Sequence, residues 1–182
     1  MMKENEVIKN MMSRVSVRQF TQESVDNEDL QLLLRCGMAA PSSMGLYPWH
    51  FVVLDNEDVK DELRKALPYA KMLTEGTVGI VVCGDTSVYD RINSIGCEDN
   101  TLYWVQDCSA VSENILLAAH ALGLGAVWTG IFPLESRIDL LRQMFDIPQR
   151  MVPLNLIVVG HPAKEPAAKD KWNVTRIHHN RF

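Results

Sequence analysis

The chain has no Cys-x-x-Cys pair, and its four cysteines, Cys36, Cys83, Cys97 and Cys108, are scattered. Its polar start, "MMKENEVIKN", has no apolar leader core, so free thiols in a reducing, cytoplasmic protein are the expectation. Basic residues are not in excess. Lys and Arg number 18 against 23 Asp and Glu, a net charge of -5, which argues against a nucleic-acid surface. The glycine fingerprint of dinucleotide sites is missing, because "GLGAVWTG" has the wrong spacing and leads into a strand. There is no Walker loop, no Gly-x-Ser-x-Gly elbow and no His-Glu-x-x-His. His178 and His179 are neighbours without nearby acids or thiols, so no metal is expected. The run from Asn114 to Leu134 lacks formal charge over about a membrane span. Gly123, Gly125, Gly130 and Pro133 cut it, so it reads as a buried helix, a turn and a strand, and no membrane segment is expected.

What is present suits one domain. A chain of 182 residues, 47% hydrophobic and 23% charged, can bury a sizeable core. "NEVIKNMM" predicts a short first helix. "DNEDL" from Asp26 and "DNEDV" from Asp55 open two more, each with a capping residue and first-turn carboxylates facing the positive end of the helix dipole. "WHFVVLD" and "VGIVVCGD" are buried strands by their β-branched and aromatic content. Thr101–Leu122 is the strongest helix, its apolar positions Cys108, Val111, Ile115, Ala118 and Leu122 at helical spacing. A strand "GAVW", a helix "LESRIDLLRQMF" and a strand "VPLNLIVVG" follow. The tail from His161 to Phe182 reads as an extended arm with anchors at Trp172, Ile177 and Phe182. Helices and strands alternate, an order that also fits a parallel doubly wound sheet.

Four stretches carry candidate chemistry. In "SRVSVRQF", Arg14, Ser16 and Arg18 share one side of an extended segment and the valines the other. That polar side is either an anion grip or a solvated edge. "APSSMGLYPWHF" offers hydroxyls and exposed backbone at a turn, suited to the rim of a flat heterocycle or merely to a helix–strand connection. In "GLGAVWTGIFP", Thr129-Gly130 closes a strand where glycine lets a ligand plane approach the backbone, or simply makes a turn. "AAKDKWN" sets Lys169 and Lys171 two residues apart, a basic clip or a solvated tail. Trp104 and Trp128 are either walls of a slot for a planar guest or core aromatics.

The order of these stretches resembles the nitroreductase family of FMN-dependent oxidoreductases, over essentially the whole chain. The resemblance implies an α+β fold, a mostly antiparallel sheet wrapped by helices in an intertwined homodimer, and this overrides the parallel reading. Residues 1–160 would form the single FMN-binding domain, and 161–182 its arm, crossing to the partner. Arg14, Val15 and Ser16 would hold the phosphate and ribityl with Lys169 and Lys171. Arg18 would reach the ribityl or the N1/O2 edge of the flavin. Pro41, Ser42, Ser43, Met44 and Gly45 would line the ring from the partner subunit, and Thr129 and Gly130 would face its O4/N5 side. Tyr47, Trp104 and Trp128 would shape the substrate slot. Asparagine and glutamine are common in the family where Gly45 and Tyr47 stand here, and arginine is common at Lys171.

The implied activity takes hydride from NADH or NADPH and reduces nitroaromatic, quinone or flavin-like acceptors in ping-pong fashion. The flavin N5 carries the chemistry and no catalytic side chain is nominated. Reductive dehalogenation, flavin conversion and non-catalytic flavin binding stand as alternatives.

Overall fold

A computed structural model describes residues 5–90, 102–165 and 167–182. Cys97, Pro166 and the expected helix start at Thr101 lie outside these residues. The first helix, α1 (Glu6–Ser13), opens where the Asn5 side chain accepts from the Ile8 amide. It is followed by α2 (Asn27–Met38), capped at Asp26, and by strand β1 (Trp49–Leu54). Helix α3 (Glu57–Ala66) is capped by Asn56, one residue beyond the Asp55 that opens its motif. Strand β2 (Val78–Asp85), helix α4 (Tyr103–Ala121) and strand β3 (Gly125–Gly130) come next. Helix α5 (Glu135–Phe145) and strand β4 (Met151–Gly160) complete the body.

The sheet order is β1-β2-β4-β3 and every pairing is antiparallel. A parallel doubly wound sheet, compatible with the element order, is therefore excluded for these strands. The α+β architecture implied by the resemblance is the one observed. β2 is buried along its whole length, as its unbroken apolar run requires. Its alternate residues feed two cores. Ile80 and Val82 pack toward α2 and α4, while Val81 and Cys83 pack toward α3 and α5.

Helix α4 buries Trp104, Asp107, Cys108, Val111, Ser112, Ile115, Leu116 and Ala119. This stripe departs from the expected one at its end, where Ala118 is only half-buried and Leu122 is exposed. Gly37 of α2 lets the two helices meet closely, since a Cβ there would stand 2.9 Å from Ile115 Cγ1. Among the described residues no helix is long and apolar enough to cross a membrane.

A buried lysine stiffens the connection between α3 and β2. Lys60 Nζ donates to the Thr77 carbonyl at 2.7 Å and pairs with Glu57 at 2.6 Å. That connection carries Tyr69 and Met72 to the end of β3, where the candidate site lies.

Candidate functional site

The segment after α1 adds itself to the free edge of the sheet. Ser16 bridges Ala126 of β3 in parallel, and the Val17 amide donates to the Ala126 carbonyl at 3.0 Å. Val17 is buried against Gly125, where a Cβ would stand only 2.7 Å from it. Ser16 and Arg18, on the alternate side, are exposed. Phe20 then bridges Pro162, and Ala163 donates to the Gln19 carbonyl at 2.9 Å. The valine-in, cation-out reading of "SRVSVRQF" is thus the local geometry at Ser16, Val17 and Arg18, whereas Arg14 and Val15 are both half-buried. Arg14 has a competitor that its motif does not reveal: it is half-buried and its Nε lies 3.5 Å from Glu113 of α4.

At the other end of β3, a cleft of about 440 Å³ is lined by Arg18, Trp128, Thr129 and Gly130, together with Tyr69 and Arg137. Arg137 Nη1 donates to the Gly130 carbonyl at 2.7 Å, and its guanidinium carbon stands 4.4 Å from the Tyr69 ring centroid. Arg18 also lines a neighbouring cleft of about 290 Å³ with Ser16, Lys164 and Glu165, so cations line the surface from the start of the arm to the strand end, with one carboxylate among them. A Cβ on Gly130 would meet nothing within 4 Å. The chain's own packing therefore does not require glycine there, and the space beside it is open to a flat guest.

The serine loop is built differently. After α2, Ser43–Gly45 form a short turn with Met44 at φ 50°, Gly45 at φ 66° and Tyr47 at φ 49°. Backbone this far into the left-handed region needs support when the residue is not glycine. Asp107 provides it from α4. Both its carboxylate oxygens accept from the Ser43 amide at 2.9 Å, and Oδ2 also accepts from the Tyr89 hydroxyl at 2.6 Å. Ser42 Oγ accepts from the Tyr47 amide at 3.1 Å. Burial, and then the bond to Asp107, push the Tyr89 phenol above its ordinary range.

Pro41, Ser42 and Ser43 open onto a separate cleft of about 350 Å³ shared with Tyr103, Gln106 and Asp107. Within one chain the serine loop and the Arg18–Gly130 cleft share no lining residue. Lys169 and Lys171 lie on the arm and are exposed, touching neither cleft. Trp172, Val174, Ile177 and Phe182 beside them are exposed too.

The slot aromatics divide. Trp128 lines the cleft. Tyr47 is exposed on the serine loop, edge-on to Trp49 with ring centroids 5.4 Å apart. Trp104 is 4% exposed and packs edge-on against Phe132 and over Gly84; it lines a third cleft of about 420 Å³ with Phe132 and Arg142, and not the Arg18–Gly130 cleft. Among the described residues, no group of His, Cys, Asp and Glu is arranged to hold a metal ion.

Four site residues escaped the reading of motifs. Asp107 left a signal, a lone acid on the apolar stripe between Trp104 and Cys108, where burial without a partner would be costly. Arg137, Tyr69 and Lys164 left none, because only the fold brings them to β3 and Ser16.

The family model of the nitroreductase family matches residues 11–70 and 64–161. A protein of Methanothermobacter thermautotrophicus, provisionally named an NADH dehydrogenase/NAD(P)H nitroreductase, is 39% identical over 95% of this chain and 86% of its own. A crystal structure of a protein with the same provisional name from Parabacteroides distasonis superposes with a TM-score of 0.88 at 40% identity, covering 98% of this chain and all of that one. A provisionally named nitroreductase from Desulfovibrio desulfuricans, solved in complex with FMN, gives a TM-score of 0.80 at 29% identity over 99% of both chains. By the extent of these matches, the chain belongs to the nitroreductase family.

Proposed function

We propose that this chain is an FMN-dependent oxidoreductase that takes hydride from NADH or NADPH and passes it to nitroaromatic, quinone or flavin-type acceptors. The observation that carries the reading is the cation-lined cleft at the end of β3, open beside Gly130. An anionic, flat cofactor suits it: guanidiniums for the phosphate and the electron-rich ring edge, a bare backbone for the ring plane. The FMN complex of the Desulfovibrio relative supports the same cofactor here.

FMN, when bound, supplies the ring nitrogen that accepts and releases hydride. The chain's residues bind and orient it. Arg14, the Val15 backbone and Ser16 would hold the phosphate and ribityl, and Arg18 would neutralise the electron-rich edge of the ring. Thr129 and Gly130 would lie along the ring that accepts hydride, leaving one open slot next to Trp128 for donor and acceptor in turn. One slot used in turn implies ping-pong kinetics. No side chain is assigned as acid or base.

The second half of the site comes from a second copy. Pro41, Ser42, Ser43, Met44 and Gly45 of one chain would cover the ring held by the other, with Tyr47 at the slot. Residues 1–160 form the FMN-binding domain, and the arm 161–182 crosses to the partner, bringing Lys169 and Lys171 to a phosphate. The separation of the two clefts within one chain supports this arrangement, as do the exposed Trp172, Val174 and Phe182 of the arm. The exposed apolar face of α1, Val7, Met11 and Met12, adds to it. The working compartment is the cytoplasm.

Purified protein is expected to be yellow, and heating should release FMN and not FAD, identified by chromatography of the supernatant. A colourless protein that takes up no added FMN would overturn the proposal.

A further inference from the structure

The cleft beside the end of β3 contains more fixed positive charge than Arg18 alone provides. Arg18 and Arg137 both line it, and among the described residues neither is paired with a carboxylate. A guanidinium keeps its charge throughout the working range of pH. Arg137 is also held in place, by its bond to the Gly130 carbonyl at 2.7 Å and by the Tyr69 ring 4.4 Å away. A cation stacked on an aromatic face and bonded to a carbonyl loses much of its freedom to fold back into solvent.

Its position in α5 strengthens the case. Arg137 lies in the first turn of a helix that begins at Glu135. A cation near a helix N-terminus meets the positive end of the helix dipole, so helix stability does not explain it. The reason for a cation there is to be sought in the cleft.

We infer that Arg137 is a positioning residue that biases bound FMN toward its reduced form. The inference rests on the FMN reading above and deepens it. Hydride transfer carries two electrons and one proton from NAD(P)H. It leaves NAD(P)+ and a reduced ring with one more negative charge than the oxidised ring. A fixed guanidinium at the Gly130 end of the cleft stabilises that added charge, and it does so without reorganising when the charge arrives. By holding the Gly130 carbonyl, Arg137 also fixes the strand end against which the ring would lie.

The test compares wild type with Arg137→Gln, Arg137→Met and Arg137→Lys. Two quantities are measured on each: the dissociation constant of oxidised FMN from the apoprotein, and the midpoint potential of bound FMN by anaerobic titration against reference dyes. Together they give the affinity for reduced FMN. Glutamine or methionine should weaken the reduced form about tenfold more than the oxidised form, a negative shift of about 30 mV for a two-electron couple. Lysine should recover most of that shift, because it keeps the charge while losing the fork.

Equal weakening of both redox forms, including loss of all FMN binding, overturns the inference, since that is what a purely structural role at Gly130 produces. An unmoved potential, or a lysine variant no better than glutamine, overturns it as well. Wild-type protein that binds no FMN overturns the cofactor reading and this inference together. Normal loading with an unmoved potential overturns this inference alone.

Discussion

The two glycine- and serine-bearing ends of the candidate site are held in opposite ways. At the serine loop the protein satisfies its own polar groups. The Ser43 amide and the Tyr89 hydroxyl both spend their protons on Asp107, which is 6% exposed. At the end of β3 the protein holds its polar groups without neutralising them: Arg137 bonds the Gly130 carbonyl and stacks on Tyr69. Arg18 and Arg137 face a cleft without a carboxylate partner among the described residues, and Gly130 faces open space. The first region is a finished structural element that presents a surface. The second presents two guanidiniums to an open cleft. Two guanidiniums at one cleft of an acidic chain point to a ligand more strongly than hydroxyls in a turn do.

If the comparison is right, mutations at the two ends fail differently. The largest effect is expected from replacing both Arg14 and Arg18 by alanine. Each charge-assisted hydrogen bond is worth roughly 1.5–3 kcal/mol, so FMN affinity should fall on the order of a hundredfold or more, read by fluorescence titration of the apoprotein. The fold should survive, because Val17 and the backbone bridge to Ala126 still dock the segment when the Arg14–Glu113 pair is lost. Loss of the circular-dichroism signal in this variant would break the contrast.

Asp107→Ala should instead strike stability. It takes the carboxylate from two donors, the buried Tyr89 hydroxyl and the half-buried Ser43 amide, each such charge-assisted bond being worth roughly 1.5–3 kcal/mol, and the melting temperature should drop by several degrees whether or not FMN is present. An unchanged melting temperature would mean that the loop does not depend on its anchor.

Tyr89→Phe removes one of those donors and should cost less, about 1–2 kcal/mol. It also separates a pH effect. The folded phenol is held above its ordinary value, so its stabilisation is complete at neutral pH and is lost as pH rises beyond the unfolded value of about 10. Denaturant unfolding should show stability falling above that pH in the wild type, and falling less steeply in Tyr89→Phe.

The smallest signal is chemical. Burial lifts the Cys83 thiol to about 12 and pushes Cys108 up as well. Their stabilising contribution is likewise full at neutral pH and fades only in alkali. Both should resist alkylation by iodoacetamide in the native protein, while the half-buried Cys36 reacts sooner, as peptide mapping would show.

Much of this was legible from local chemistry. Runs such as "VGIVVCGD" must be buried strands, and Asn56 caps α3 because its side chain suits the free amides that follow. The alternation in "SRVSVRQF" correctly divided Val17 from Ser16 and Arg18, since period-two geometry needs no tertiary information. Strand direction was not legible from element order, because an antiparallel sheet with long helical connections alternates helix and strand just as a parallel one does. Only the resemblance supplied it. Trp104 and Trp128 could not be told apart by residue type. Gly84 creates the space that takes Trp104 into the core, whereas Trp128 sits at the sheet end where the cleft opens. Arg137 and Tyr69 meet across two connections far apart in sequence, a contact that spacing cannot encode.

The central claim is that the cleft at the end of β3 is a flavin site working in redox turnover. Its most direct test is anaerobic stopped-flow spectroscopy of the FMN-loaded protein. NADH or NADPH should bleach the flavin absorbance in a single mixing, and menadione added afterwards should restore it, with parallel lines in double-reciprocal plots at steady state. Flavin that stays oxidised in the presence of both nicotinamides would contradict the account and leave a flavin-binding protein in its place.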